Sequence, residues 1–73
     1  MKVINRFKVL LAEKEAREER RISYREIQSS TGIATSTLSS WATNRVTKYE
    51  RQTILAFCLF FVCKPGDLIT LES

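Results

Sequence analysis

Apolar residues recur at helical spacing near the start of the chain and then give way to a charged stretch. Ile4, Phe7, Leu10 and Leu11 would form one face of a first helix. Residues 13–21, charged at almost every position, predict the solvated end of this helix and an exposed connection after it. The alternative is a nucleic-acid-binding arm, and the acidic residues mixed into the segment count against it.

A second helix is predicted to begin at Tyr24, because the residues around it have the spacing of a capping box. The Ser23 hydroxyl would accept a hydrogen bond from the Glu26 amide, and the Glu26 carboxylate would reach back to the Ser23 amide. Ile27 would be the buried residue of this helix. Gly32 would end it, since glycine adopts the left-handed conformation readily.

Two more helices are predicted further along the chain. Leu38 and Trp41, three residues apart, indicate a short third helix whose other face carries almost only hydroxyls. Residues 44–48 lack periodicity and predict a loop. A fourth helix, roughly residues 50–61, would turn these side chains inward: Ile54, Phe57, Cys58 and Phe61. After the break at Pro65, residues 67–71 predict either a further helical turn or a short strand.

The composition of the chain limits the kinds of function that it can have. Seventy-three residues are enough for one small domain, taken here as residues 1–73. The chain has no histidine and two cysteines, so we expect no enzyme, no metal site and no cofactor, with both thiols filling the core. The longest apolar run has ten residues against the roughly 20 of a membrane span, and no signal peptide is recognisable, which predicts a cytoplasmic protein without membrane contact. A net charge of +4 permits an anionic partner.

The spacing of the second and third helices is typical of a helix-turn-helix. With Tyr24 as position one, Ile27 falls at position four, Gly32 at nine, Leu38 at fifteen and Trp41 at eighteen. Position nine requires a residue that tolerates positive φ, and the apolar positions fill the space between the two helices. The outer face of the third helix would then be available to the DNA major groove, which is about 12 Å wide.

The segment 22–41, ISYREIQSSTGIATSTLSSW, resembles the helix-turn-helix of the Cro/phage-repressor (XRE-type) family. Residues 4–15 resemble the first helix of that family, while Cys58 and the segment 63–69 resemble its fourth helix and the exit from it. The resemblance therefore covers nearly the whole chain. It implies an all-α, five-helix lambda-repressor-like bundle and sequence-specific binding to double-stranded DNA, typically by transcriptional regulators that act as dimers.

The resemblance also implies which residues contact DNA. By position, the base-reading side chains would be Thr35, Ser36, Thr37 and Ser40. This face lacks Arg, Gln and Asn, so direct readout would be modest, and water and DNA shape would contribute. The residues at positions that bind the phosphate backbone are Tyr24, Thr43, Asn44, Arg45 and Lys48.

Three residues depart from the family pattern. Gln28 stands where a small residue is usual, so its amide must point outward or find a partner. Ala34 occupies the N-cap of the third helix, so the cap would be weaker by ~1 kcal/mol or would shift to Thr35. Val62 stands where the family often has glycine, and a β-branched residue resists positive φ, which predicts a different closure of the fourth helix.

Leu55, Leu59 and Phe60 would point away from the core if the fourth helix buries its other face. We expect them to form a homodimer interface rather than to be surrounded within one chain. The function predicted from the sequence is a small repressor-like DNA-binding regulator. The alternative is a helical protein-interaction module or an antitoxin-like partner protein with little DNA binding of its own.

Overall fold

The computed structural model describes residues 2–72, and within them the chain forms five helices and two short strands. This confirms the predicted five-helix bundle and adds a small sheet to it. In chain order the elements are β1 (Lys2–Asn5), α1 (Phe7–Glu18), α2 (Tyr24–Thr31), α3 (Thr35–Ala42), α4 (Arg51–Phe61), α5 (Pro65–Leu68) and β2 (Ile69–Glu72).

The core is built around Phe57 of α4, which is fully buried. Its ring centroid lies 5.1 Å from that of Phe7 and 4.9 Å from that of Trp41, so aromatic contacts join α1, α3 and α4. Ile27 and Leu38 are also fully buried, as the helix-turn-helix spacing predicts. The other buried side chains are Leu10, Ile22, Cys58, Phe61 and Leu68.

The first apolar residues of the chain form a strand, so the assignment of Ile4 to the first helix is wrong. Ile4 lies in β1, which pairs antiparallel with β2 and places Ile4 opposite Thr70. The helix starts at Phe7, whose N–H donates to the Asn5 side-chain oxygen at 3.2 Å. Both alternatives for residues 67–71 occur in turn, since α5 ends at Leu68 and β2 follows it.

Half of the predicted capping box is confirmed. The Ser23 hydroxyl accepts from the Glu26 N–H at 3.1 Å. The reciprocal bond from the Ser23 amide to the Glu26 carboxylate is not formed, because that carboxylate accepts two hydrogen bonds from the Arg20 guanidinium, at 2.8 and 2.6 Å. A bidentate, charge-assisted pair of this kind is stronger than a bond to a neutral amide.

The end of α4 contradicts the expectation for Val62. This residue adopts φ 54° and ψ 59°, the left-handed conformation that a β-branched side chain resists. The Cys63 N–H donates to the Cys58 carbonyl at 2.9 Å, the bond that closes a helix beyond a left-handed residue. Left-handed backbone costs an L-residue about 1–2 kcal/mol, and here packing around α4 and α5 outweighs that preference.

Candidate nucleic-acid interface

The turn between α2 and α3 is fixed by Gly32 and by one hydroxyl. Gly32 has φ 78°, and its N–H donates to the Gln28 carbonyl at 2.7 Å. The Thr31 hydroxyl donates to the Ile27 carbonyl at 2.7 Å and accepts from the Ile33 N–H at 3.2 Å. These bonds fix the direction in which α3 leaves the turn. The Gln28 side chain is exposed, so its amide avoids the helix packing.

The predicted base-reading residues lie along α3. Thr35 and Ser36 are exposed, whereas Thr37 and Ser40 are half-buried. The Ser40 hydroxyl donates to the Ser36 carbonyl at 3.1 Å, which leaves the Ser40 oxygen able to accept. Ala34 is the N-cap and gives no side-chain cap, so the predicted shift of the cap to Thr35 does not occur.

A cleft of about 500 Å³ separates α3 from the start of α4. Thr37 and Ser40 line it from α3, and Arg45 and Lys48 line it from the loop 43–50. The structure therefore brings two of the predicted base-reading residues together with two of the predicted phosphate-binding residues. Arg45 and Lys48 are exposed, and within residues 2–72 neither forms a salt bridge.

The loop after α3 is held by bonds to α3 and to the first strand. Thr43 is exposed, but its hydroxyl donates to the Ser39 carbonyl at 2.9 Å. Asn44 is exposed with φ 56°, and its side-chain oxygen accepts from the Asn5 amide at 3.0 Å. Further along, the Tyr49 ring packs edge-on against Trp41 with centroids 5.4 Å apart. These contacts anchor both ends of the loop.

Tyr24 is the remaining predicted phosphate ligand, and it begins α2 outside the cleft. Its ring is half-buried and lies edge-on to Phe7, with centroids 6.3 Å apart. The ring therefore belongs partly to the core. Only the hydroxyl end of this side chain is suited to an external ligand.

The charged segment 13–21 covers the end of α1 and the connection after it, and three of its eight charged residues form salt bridges. Lys14 pairs with Glu18 at 2.8 Å, and Arg20 pairs with Glu18 and Glu26. The hydrogen bond from Arg20 holds the pKa of Glu26 below its usual value, and the bond from Lys14 does the same to the pKa of Glu18. This pairing fits the predicted solvated helix end better than a nucleic-acid-binding arm.

An exposed apolar stripe, which we define as Leu55, Leu59 and Val62, runs along the outer face of α4 to the residue after it. Their exposed fractions are 49%, 81% and 84%. Phe60, which the sequence places with them, is half-buried: the Lys14 ammonium lies 4.9 Å from its ring centroid. Among residues 2–72, no helix combines the length and apolar character required to cross a membrane.

The two cysteines are free and lie on the side of α4 next to α5. Cys58 is buried in the core, as predicted, and Cys63 is half-buried. Burial, followed by the neighbouring Cys58, raises the pKa of the Cys63 thiol to about 11. A thiol with so high a pKa is a poor nucleophile and a poor metal ligand at neutral pH.

Sequence reasoning missed two residues that bear on these surfaces. Asn5 binds Asn44 although 39 positions separate them, and no local pattern signals such a contact. Val62 joins the apolar stripe because its left-handed backbone turns the chain at that point. An apolar residue at a position that favours glycine is the one signal in the sequence that could have indicated its role.

Comparison with known proteins relates this geometry to a family. Residues 6–73 match the family described as "Cro/C1-type HTH DNA-binding domain". A crystal structure described as that of "a putative DNA-binding protein from Bacteroides fragilis" is similar, with a TM-score of 0.72 and 26% identity over 94% of this chain and 100% of that one. None of the curated proteins matches the chain significantly in sequence. Because the family match extends over nearly the whole length, the chain belongs to the Cro/C1-type helix-turn-helix DNA-binding domain family.

Proposed function

We propose that this chain is a cytoplasmic, repressor-like transcriptional regulator that binds double-stranded DNA by sequence, with α3 in the major groove. The observation that carries the proposal is the cleft beside α3. Thr37 and Ser40 line the cleft together with Arg45 and Lys48. Hydroxyls suited to base edges therefore lie next to cations suited to phosphates, the two kinds of contact that sequence-specific binding combines.

In this proposal the side chains along α3 read base edges. Thr35 and Ser36 are exposed and lie in the first turn of the helix, where side chains reach furthest into the groove. Thr37 and Ser40 read from the cleft. Because the Ser40 hydroxyl donates to the Ser36 carbonyl, its oxygen is best matched to an amino group of adenine or cytosine. Hydroxyls give single rather than bidentate bonds, so water and DNA shape add to the readout.

Phosphate binding is assigned to the loop and to the start of α2. Arg45 and Lys48 supply charge, Asn44 an amide N–H and Tyr24 a hydroxyl. Thr43 has a different role in the proposal, because its hydroxyl hydrogen is used in the bond to the Ser39 carbonyl. A phosphate oxygen can only accept, so Thr43 supports the loop rather than binding the backbone itself.

The proposed partner on the other side of the molecule is a second copy of this chain. Leu59 lines a hollow of about 450 Å³ together with Val62, Cys63, Lys64 and Asp67. A two-fold axis would bring the apolar stripes of two copies together, with Leu55 and Phe60 at the border. Each copy contributes one cation and one anion to this surface, which makes it self-complementary in charge, since Lys64 of each copy can face Asp67 of the other.

The test of DNA recognition is selection of the full chain against a pool of random duplexes near physiological salt. We expect enrichment of an inverted repeat whose half-site centres lie about 34–36 Å apart, one helical turn. Replacing Arg45 by Ala should weaken binding to every sequence and reduce the salt slope by about 1, whereas Ser36→Ala should alter the preferred base at one position. Arg17→Ala is the matched control, because Arg17 is exposed and lines a groove with Phe61 and Asp67 on the α1 side.

One observation, the exposed stripe on α4, favours a second candidate function, that of a helical protein-interaction module or antitoxin-like partner protein. Under that function the stripe binds another protein and α3 does not read DNA. Absence of any enriched duplex, with binding that vanishes as salt rises, would replace the first proposal by this one. Enrichment that Arg45→Ala lowers and Arg17→Ala leaves intact would exclude the interaction-only reading.

The proposed dimer is tested by sedimentation equilibrium of the free chain. Wild type should associate, and Leu59→Lys should be monomeric, because two cations would then face each other across the two-fold axis. The same substitution leaves the core intact, since Leu59 is 81% exposed. Equal association of wild type and Leu59→Lys would show that this surface is not the dimer interface.

A further inference from the structure

Two asparagine side chains connect the first strand to the loop after α3. The Asn5 amide nitrogen donates to the Asn44 side-chain oxygen at 3.0 Å. The Asn5 side-chain oxygen accepts from the Phe7 backbone N–H at 3.2 Å. Asn5 thus uses both ends of its amide, one toward the start of α1 and the other toward the loop.

The chemistry of this chain of bonds fixes the orientation of both amides. A backbone N–H can only donate, so the group of Asn5 that faces the Phe7 N–H must be its oxygen. The Asn5 nitrogen then faces Asn44 and requires an acceptor there. Asn44 must therefore turn its oxygen toward Asn5, and its own NH2 group points the other way.

Asn44 is well placed to use that NH2 group. It is exposed, and its backbone N–H is already donated to the Trp41 carbonyl at 3.2 Å. The side chain is therefore the part of Asn44 that remains able to donate to a ligand. The next residue, Arg45, lines the cleft beside α3.

We propose that Asn5 is a positioning residue for DNA binding, which holds the Asn44 amide with its NH2 group toward a phosphate. This inference rests on the proposed function, in which Asn44 binds the DNA backbone. Phosphate oxygens accept hydrogen bonds and carry negative charge, so a reversed Asn44 amide would present an oxygen to an oxygen. Asn5 contributes to affinity by excluding that orientation, without touching DNA itself.

The experiment measures affinity for the duplex obtained by selection, using wild type, Asn44→Gly, Asn5→Ala and the double variant. Glycine at position 44 deletes the amide and accepts the positive φ. We expect each single variant to bind about three- to tenfold more weakly, the range of one net hydrogen bond. The double variant should bind no more weakly than Asn44→Gly, because Asn5 acts only through Asn44. Additive losses would overturn the inference.

A second measurement separates positioning from stability. Each phosphate of the duplex is replaced in turn by a neutral methylphosphonate. One replacement should weaken wild type but leave Asn44→Gly and Asn5→Ala at their already reduced affinity. Asn5→Asp keeps the acceptor for the Phe7 N–H and loses the donor to Asn44. Replacing the same phosphate should therefore no longer weaken the binding of this variant. Its added charge repels the nearest phosphates most strongly, so a neutral methylphosphonate there should not weaken this variant.

The outcomes also distinguish a failure of this inference from a failure of the proposed DNA-binding function. If Asn44→Gly binds like wild type while Arg45→Ala binds weakly, the inference is wrong and DNA recognition stands. If Asn5→Ala or Asn5→Asp retains the response of wild type at that phosphate, the inference is likewise wrong. If wild type enriches no duplex, the proposed function fails and the inference fails with it.

Discussion

Arg20 and Glu26 are joined by two hydrogen bonds, of 2.8 and 2.6 Å, between a guanidinium and a carboxylate. Arg20 lies in the connection after α1, and Glu26 lies in the first turn of α2. A third bond, from Arg20 to Glu18 at 3.0 Å, extends the cluster back to the end of α1. The connection that leads into the helix-turn-helix is therefore held by charge as well as by the burial of Ile22.

This cluster predicts a pH dependence of stability. Since the folded chain lowers the pKa of Glu26, the pair stabilises the fold at pH values above the ordinary pKa of a glutamate. The contribution is lost as pH falls through the ordinary value, about 4.3, and then through the lowered one. The melting temperature of Glu26→Gln should therefore lie below that of wild type at pH 7 and approach it near pH 3.

The control for this prediction is Glu13→Gln. Glu13 is exposed and forms no salt bridge within residues 2–72. A gap between wild type and Glu26→Gln that stays constant from pH 7 to pH 3 would contradict the assigned role of the pair. The gap at pH 7 should also narrow in 1 M salt, because both groups are exposed to solvent.

Phe57 joins α4 to two other helices of the bundle. It is fully buried and contacts Phe7 and Trp41, so Phe57→Ala should lower the free energy of unfolding by about 3–5 kcal/mol. A chain of this length has about 4–11 kcal/mol in total, so urea denaturation should find the variant largely unfolded or close to it. Phe57→Leu should lose roughly half as much. A loss below 1 kcal/mol for the alanine variant would contradict this packing.

The two helices of the helix-turn-helix differ in their caps, and the difference predicts opposite effects of substitution. Ser23 caps α2 with its hydroxyl, so Ser23→Ala should destabilise the chain by about 1 kcal/mol. Ala34 caps α3 without a side-chain bond, so Ala34→Ser should stabilise it by about the same amount. Urea denaturation measures both. No gain from Ala34→Ser would show that the α3 amides are already satisfied.

The interior of the helix-turn-helix is the part that sequence predicts best. Ile27, Leu38 and Trp41 are buried at the expected offsets, and Gly32 has the positive φ that its position requires. These features are local, because each depends on residues within one or two helical turns. The polar face of α3, where Thr35 and Ser36 are exposed and Thr37 and Ser40 half-buried, is the side that this interior leaves outside the core.

The features that escaped prediction depend on contacts that each residue makes outside its own helix or strand. Ile4 has helical spacing from Phe7, and only the pairing with β2 makes it a strand residue. The Glu26 carboxylate was expected to accept from the Ser23 amide, but it pairs with the Arg20 guanidinium, which lies outside the helix. The bond between Asn5 and Asn44 depends on the packing of the whole bundle. Sequence spacing within one helix or strand does not indicate which partner outside it a side chain will bind.

Replacing Val62 by glycine should raise the stability of the fold and weaken association of the chain. Its left-handed backbone is unfavourable for valine and natural for glycine, so Val62→Gly should stabilise the isolated chain by about 1 kcal/mol. Val62 is also 84% exposed at the end of the apolar stripe, so the same variant should weaken the proposed dimer. Denaturation at low concentration and sedimentation at high concentration separate the two effects. Increased stability without weaker association would show that Val62 does not take part in association of the chain.

The Cys63 thiol should be slow to react. Its pKa of about 11 leaves it almost entirely protonated at pH 8, so alkylation by iodoacetamide should be roughly two orders of magnitude slower than in the unfolded chain. Peptide mapping by mass spectrometry distinguishes Cys63 from the buried Cys58. Alkylation of Cys63 at equal rates in buffer and in urea would contradict the burial seen here.

The antiparallel pairing of β1 with β2 has a consequence for the order of folding. Residues 2–5 meet residues 69–72, so the sheet closes a loop that contains all five helices of the described chain. Loop-closure entropy opposes such a contact until the helices have packed, so the sheet should form last and open first. Amide hydrogens in the two strands should accordingly exchange faster than those of α4. Asn5 ends one of these strands, so transient opening of the sheet would also release the Asn44 amide, and DNA binding would then protect both strands from exchange.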